Sequence, residues 1–358
     1  MGTNDSSESE VRRPRSVSAA AATARSGSLT KPEADVNHIA GIHHVTSVGT
    51  DLDRTLRFYT ETLGLHLVKR TVNFDEPSVQ HFYCGNFRGA PGTLLSFFIH
   101  EGVARGRRGT GQVSSVVLAV PPHSLPDWRE RLQEQKVEVI GRAWAFGEES
   151  LCFTDPDGLE LALIEDVDDV VSGAAARPSG RQSCTIRRIR SIEFQIEGYQ
   201  HTSRFLLEML GFKAVGNEGA VFRFCDGPPG QPIAVDLLCT PNHRPGCAGP
   251  GVVHHIAWRV RDADALNRMA EMLANCGLDI SPSLDRSYFR AVYFRSPCGL
   301  NFALATDGPG FAIEGRHLGT DVPLSLPPWL EPQRSAIERR LSKKSSRARR
   351  VRTTGVDD

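Results

Sequence analysis

Gly251-Val252-Val253-His254-His255-Ile256-Ala257-Trp258-Arg259-Val260 is the stretch on which the reading of the fold turns. Taken as a β-strand, it sends successive side chains to opposite faces. His254, Ile256, Trp258 and Val260 make one face, mostly large and apolar, and suited to a core. Val253, His255, Ala257 and Arg259 make the other. There an imidazole has an alanine two residues on, and therefore room beside it for a metal or a ligand. A single His-His pair at the start of a strand is ordinary. Here a second copy, Gly41-Ile42-His43-His44-Val45-Thr46-Ser47-Val48, opens another strand 211 residues earlier in the chain. Two repeats contributing to one site is the expectation that follows.

Working outward, each histidine strand heads a unit of the same order. After 42–48, Asp51-Leu52-Asp53-Arg54 signals a helix start, and Leu52, Leu56, Phe58, Tyr59 and Leu63 give an amphipathic helix ending at Gly64. Three short strand-like runs follow, Leu65 to Thr71, Gln80 to Tyr83 and Thr93 to Phe98. A second unit begins near Val113, with a helix from Leu125 to Gln135 and strands near 137–145, 151–154 and 159–164. A third has a strand at Ile192 to Ile196, a helix from His201 to Leu210, and strands near 220–225 and 233–239. The fourth runs from 252–260 through a helix over Ala263 to Cys276 to strands near 288–294 and 300–305. Leu63-Gly64-Leu65 and Leu210-Gly211-Phe212 repeat the same helix ending. The prediction is an α+β protein of four tandem βαβββ units, forming two domains with curved mixed sheets. Its parts are a disordered tail over 1–37, a first domain over 38–172, a linker over 173–187 and a second domain over 188–315. A Pro-rich arm over 316–335 and a basic disordered tail over 336–358 complete the chain.

Composition bounds the rest. The 358 residues carry 42 Lys and Arg against 42 Asp and Glu, so no basic excess argues for specific nucleic-acid binding. No apolar run is long enough for a membrane span. Met1-Gly2-Thr3-Asn4-Asp5-Ser6 fits the myristoylation pattern only formally. Asp5, Glu8 and Glu10 argue against a transit peptide. Eight scattered cysteines without CxxC spacing suit a reducing cytoplasm. Homo-oligomerisation is compatible with all of this.

Taken together, the motifs are specific. Beyond the two histidine strands they include Val68-Lys69-Arg70-Thr71-Val72-Asn73-Phe74-Asp75, His81-Phe82-Tyr83, Ala90-Pro91-Gly92-Thr93 and Gly106-Arg107-Arg108-Gly109-Thr110-Gly111-Gln112. Tyr288-Phe289-Arg290, Tyr293-Phe294-Arg295-Ser296-Pro297, Ala305-Thr306-Asp307-Gly308-Pro309-Gly310-Phe311 and Leu326-Pro327-Pro328-Trp329-Leu330-Glu331-Pro332 complete the set. Over about residues 39 to 335 the chain resembles the ring-cleaving dioxygenases of the vicinal oxygen chelate (glyoxalase/bleomycin resistance/dioxygenase) superfamily, in their hydroquinone-cleaving branch. The resemblance implies Fe(II), with Mn(II) as the alternative, held by two histidines and one carboxylate beside a dihydroxylated aromatic substrate. It places the histidine ligands at His44 and His255. It puts Tyr288 and His254 near substrate as catalytic groups.

The carboxylate departs from the pattern. The family's last strand reads Gly-x-x-Phe-Glu, whereas this chain has Gly299-Leu300-Asn301-Phe302-Ala303, so the matching position is Ala303. Asp307 has the right parity but lies four residues on, roughly 13 Å along a strand. Glu160 belongs to the equivalent strand of the second unit. Metal binding is therefore expected to be weak or absent. Three readings follow: an active ring-cleaving dioxygenase, an impaired protein that binds aromatic compounds, and a glyoxalase-like enzyme on the same fold.

Overall fold

A computed structural model describes residues 39–141, 144–166, 184–227, 232–311 and 322–342. Four units run along it. The first is β1 (Ile42–Gly49), α1 (Leu52–Arg57), β2 (His66–Val72), β3 (Gln80–Gly85) and β4 (Leu94–Ile99). The second is β5 (Gln112–Val120), α2 (Leu125–Glu134), β6 (Val139–Ile140), β7 (Ser150–Thr154) and β8 (Glu160–Glu165). The third is β9 (Arg188–Ile196), α3 (Gln200–Glu208), β10 (Lys213–Glu218), β11 (Val221–Asp226) and β12 (Ile233–Cys239). The fourth is β13 (Val253–Val260), α4 (Ala263–Asn275), β14 (Leu284–Asp285), β15 (Phe289–Arg295) and β16 (Asn301–Pro309).

Local chemistry explains most of these elements. Asp51 and Asp262 cap α1 and α4, each side chain accepting a hydrogen bond from the backbone N–H three residues on, at 2.8 Å. The first helix is shorter than its apolar spacing suggests. After Arg57 it continues as one π-helical turn, Phe58–Thr62, which buries both Phe58 and Tyr59. The Tyr59 hydroxyl then donates to the buried Asp155 carboxylate at 3.0 Å, tying the first unit to the second.

The strands form two eight-stranded mixed sheets with one topology. Their orders are β14-β15-β16-β13-β1-β4-β3-β2 and β10-β11-β12-β9-β5-β8-β7-β6. Each sheet joins the first and fourth units or the second and third, so the sheets do not divide the chain at 173–187 as the sequence suggested. The reason lies at the strand edges. The first strand of a unit pairs in parallel with its own last strand, β1 with β4, and its other edge receives the first strand of another unit, β13, antiparallel. Side-chain alternation specifies which face is buried, not which strand closes an edge.

One face of each sheet packs, with the helices, into a continuous core containing Val45, Phe97, Trp128, Phe194, Trp258 and Phe302. The opposite face of the first sheet holds a separate cluster, including Tyr83, Ala257, Tyr288, Phe289, Ala303 and Phe311. That second face carries the site.

The arm runs alongside edge strand β2. Ser325 N–H donates to the Arg70 carbonyl at 2.8 Å, and Leu326, Leu330, Ile337 and Leu341 are buried against Val72. This covers an edge that would otherwise expose unpaired backbone groups. Residues 334–342 are helical, so the first part of the expected disordered tail is folded. Ile337 and Leu341, four apart, form its buried face. The tail at 1–37, most of the linker at 173–187, and residues 343–358 lie outside the described residues.

Candidate active site

Two glycines open the histidine strands, and each has a backbone reason. Gly41 has φ +123°, and Gly251 has φ +83°. A Cβ on Gly251 would meet the Asp157 carbonyl oxygen at 2.2 Å, so only glycine fits there. From these starts β1 and β13 run antiparallel, with Thr46 opposite His255 and His44 opposite Ala257. His44, Thr46, His255 and Ala257 therefore share one face, the side of the first sheet that forms the cup of the site.

The inner histidines meet. His44 Nε2 and His255 Nε2 are 3.3 Å apart, although 211 residues separate them in sequence. Thr46 Oγ1 lies 3.2 Å from His255 Nε2 and 2.7 Å from Ser96 Oγ, filling the row between the sheet's two halves. Behind the pair the outer histidines repeat one arrangement. His43 Nδ1 faces His44 Nδ1 at 2.8 Å, and His254 Nδ1 faces His255 Nδ1 at 2.9 Å. Within each of these pairs one Nδ1 donates to the other, and the two inner rings turn their Nε2 atoms towards each other. The outer histidines thus orient the inner ones.

Burial keeps this cluster neutral. Desolvation, then the neighbouring imidazoles, hold His44 and His255 well below the ordinary histidine range. His43 is lowered to about 4, again chiefly by desolvation. Desolvation likewise lowers His254, which lies at the exposed start of β13. Neutral imidazoles can accept a hydrogen bond from a hydroxyl or donate a lone pair to a cation.

Around the pair stands an aromatic wall. Phe289 packs on His44 at 5.2 Å and on His43 at 4.9 Å, and Tyr83 meets His44 at 6.1 Å. Tyr288 lies in this wall, stacked on Phe311 at 4.7 Å, with Lys69 Nζ 5.3 Å from its ring centre. Two further groups escaped the sequence reading. Tyr293 sets its ring 5.6 Å from that of His255, and Arg286 Nε donates to the Tyr293 hydroxyl at 3.0 Å. Arg286 is itself held by the Asp75 carboxylate at 2.9 and 3.1 Å. Parity along β15 could have found Tyr293, because it lies opposite Ala303.

Ala303 is fully buried, beside Ala257 on β13 and opposite Tyr293 on β15. With Ala291 and Ala305 these residues make a floor of small side chains. The two candidate replacement acids are engaged elsewhere: Asp307 pairs with Arg259 through two bonds of 2.6 Å, and Glu160 with Arg108 at 2.8 Å. Among the described residues no group of three His, Cys, Asp or Glu is placed to hold a metal ion. Two imidazoles without an acid do not make the two-histidine, one-carboxylate set.

Known proteins resemble the chain over most of its length. The sequence pattern of the Glyoxalase/Bleomycin resistance protein/Dioxygenase superfamily matches residues 41–163. MhqE of Bacillus subtilis (strain 168), named as a ring-cleaving dioxygenase, is 38% identical over 83% of this chain and 96% of its own. The chlorohydroquinone/hydroquinone 1,2-dioxygenase of Sphingobium indicum is 29% identical over 85% of this chain and 96% of its own. A crystal structure described as a dioxygenase from Bacillus subtilis subsp. subtilis str. 168 superposes with a TM-score of 0.78 at 35% identity. It covers 85% of this chain and 97% of that one. With relatives matched over nearly their whole length and the two histidine strands joined in one sheet, the chain belongs to the ring-cleaving dioxygenase family of the Glyoxalase/Bleomycin resistance protein/Dioxygenase superfamily.

Proposed function

We propose that the protein is a dioxygenase-type enzyme whose cup on the first sheet binds a dihydroxylated aromatic ring, one hydroxyl directed at His44 and His255. The observation that carries this is the 3.3 Å approach of those two neutral imidazoles inside an aromatic wall. A flat ring is matched by Phe289, Tyr83 and Tyr288, and its hydroxyl by lone pairs on buried nitrogens. His44 or His255 accepts a hydrogen bond from the hydroxyl, and the substrate then lies on the alanine floor with its reacting edge towards the pair. Tyr288 and His254 are proposed as neighbouring catalytic groups. Eight free thiols suit a reducing, cytoplasmic setting. No helix of the described residues is long and apolar enough to cross a membrane.

The residues present lack the acid that would complete an Fe(II) or Mn(II) site, so any such ion would rest on two protein ligands. Ala303 therefore favours a second reading, in which the cup binds the ring without cleaving it. Anaerobic Fe(II) titration of metal-free protein, followed by oxygen uptake with hydroquinone, separates the two. Weak Fe(II) binding with measurable oxygen uptake supports the enzyme. Hydroquinone binding without oxygen uptake at saturating Fe(II) supports the binding protein. No binding of either hydroquinone or Fe(II) overturns both.

A further inference from the structure

On the cup face of β2 and β3, Thr71 lies directly opposite His81, and Lys69 opposite Tyr83. Thr71 is fully buried and His81 is 7% exposed. Neither the Thr71 hydroxyl oxygen nor His81 Nε2 has a hydrogen-bond partner. The His81 ring is fixed from two sides, 4.3 Å from Tyr83 and 4.4 Å from Phe98 by ring centres. It is also near enough to His44 and His255 to depress the basicity of both.

Two unpaired polar atoms on adjacent strands of one buried wall are costly, since each has given up water without a replacement. Folding stability does not explain keeping an imidazole and a hydroxyl there, because phenylalanine and valine would fill the same space without that cost. A ligand supplying a polar atom would explain it.

We infer that His81 and Thr71 form a second polar subsite, which reads an oxygen on the part of the ring turned away from His44 and His255. The inference rests on the reading of the cup as the ring-binding site and deepens it. A ring with hydroxyls at opposite ends bridges the two polar positions. One with a methyl group in place of the second hydroxyl leaves His81 and Thr71 unpaired and gains nothing there. His81 Nε2 can donate to or accept from that oxygen according to its tautomer, and the Thr71 hydroxyl does either. The pair thereby sets specificity and takes no part in bond breaking.

The test is anaerobic calorimetry on the full chain with hydroquinone and with 4-methylphenol, which has the same outline and one hydroxyl fewer. Wild type is expected to prefer hydroquinone by about 3- to 10-fold, the worth of a net neutral hydrogen bond or slightly more. Thr71→Val and His81→Phe should each reduce that preference while leaving 4-methylphenol affinity unchanged or higher. A second readout is the thermal midpoint without ligand, which Thr71→Val should hold or raise because an unpaired buried hydroxyl is removed. A structural hydroxyl would behave the opposite way, and a lowered midpoint for Thr71→Val overturns the subsite. So does a hydroquinone preference that survives Thr71→Val; if His81→Phe does not fold, this variant alone decides. Equal binding of both rings by wild type overturns the subsite and leaves the cup reading standing. No binding of either ring overturns the cup reading and the subsite with it.

Discussion

At Ala303 the side chain ends at Cβ, fully buried between Ala257 on one neighbouring strand and Tyr293 on the other. A longer acid here would extend over the alanine floor on the face that carries His255. In Ala303→Glu the metal-free protein must bury a carboxylate among neutral imidazoles and aromatic rings, which costs several kcal/mol or neutralises the acid. Its thermal midpoint should therefore fall without metal. Added Fe(II) should restore it, because the third ligand then faces the cation. Fe(II) affinity is expected to rise by more than about 100-fold, since groups merely supporting a metal ligand are often worth 10- to 100-fold. Anaerobic Fe(II) titration of both proteins measures this. Unchanged affinity would show that position 303 does not face the imidazole pair. The residue scale was the most legible in sequence. Duplicated His-His strands and strict parity pointed to His44 and His255, and a fixed alignment pointed to Ala303. Parity along β15 carries Tyr293, but Arg286 is placed by the Asp75 carboxylate 211 residues away, which no local pattern encodes. The unpaired nitrogen of His81 has no signature in sequence, because it depends on where the neighbouring strands place its surroundings.

Elements were legible where one face is apolar and the other polar. α4 begins at the residue expected and ends within one of it, since Asp262 caps it and Leu266, Met269 and Leu273 make its buried side. β10 escaped notice because all six of its residues are exposed, so no burial pattern marks it. β14 has two residues, too few for any period. The helix over 334–342 was hidden by its charges: Arg334 pairs with Glu331 and Glu338 on the outside while Ile337 and Leu341 face inwards. Leu330→Ala removes a buried contact between the arm and Val72, and is expected to cost about 2–4 kcal/mol in urea unfolding. A loss below about 0.5 kcal/mol would mean that the arm is not packed on β2. Gly251→Ala forces a Cβ against the Asp157 carbonyl oxygen at a positive φ, and should displace the start of β13. Because His255 sits four residues on, ring binding should weaken along with stability. Full retention of hydroquinone affinity would show that the strand start does not position the imidazole.

For the whole molecule, the halves of the chain suggested one division and the sheets another. The four units were legible from repeated helix endings, but their pairing, first with fourth and second with third, is a matter of long-range edges. That pairing is what gathers His43, His44 and His81 from the first unit and His255 from the fourth into one buried neutral cluster, with His254 at its exposed edge. Its consequence is a definite pH dependence. An unfolded histidine titrates near 6.5, whereas folded His43 is lowered to about 4 and folded His81 to about 3, both mainly by desolvation. Below 6.5 the unfolded chain binds protons that the folded chain refuses, so stability rises with pH across this window. The contribution is complete above about 6.5 and is lost as pH falls towards 4 and then 3. By pH 5 these two residues together cost about 4 kcal/mol, at roughly 1.4 kcal/mol per unit per group. His44 and His255 act in the same direction. Asp155 acts against them. Burial raises its carboxyl to about 6, so the folded state takes up a proton before the unfolded state does. By pH 5 that returns about 1.4 kcal/mol. The histidines win, and a net loss of at least about 2–3 kcal/mol between pH 7 and pH 5 is expected, a sizeable share of ordinary domain stability. Urea unfolding at pH 7, 6 and 5 in the presence of a chelator measures it. His81→Phe should remove about 2 kcal/mol of the difference, because the unfolded variant has one proton fewer to gain. A midpoint that holds steady from pH 7 to pH 5 would mean that the cluster admits protons or water while folded, and that the cup is open rather than dry.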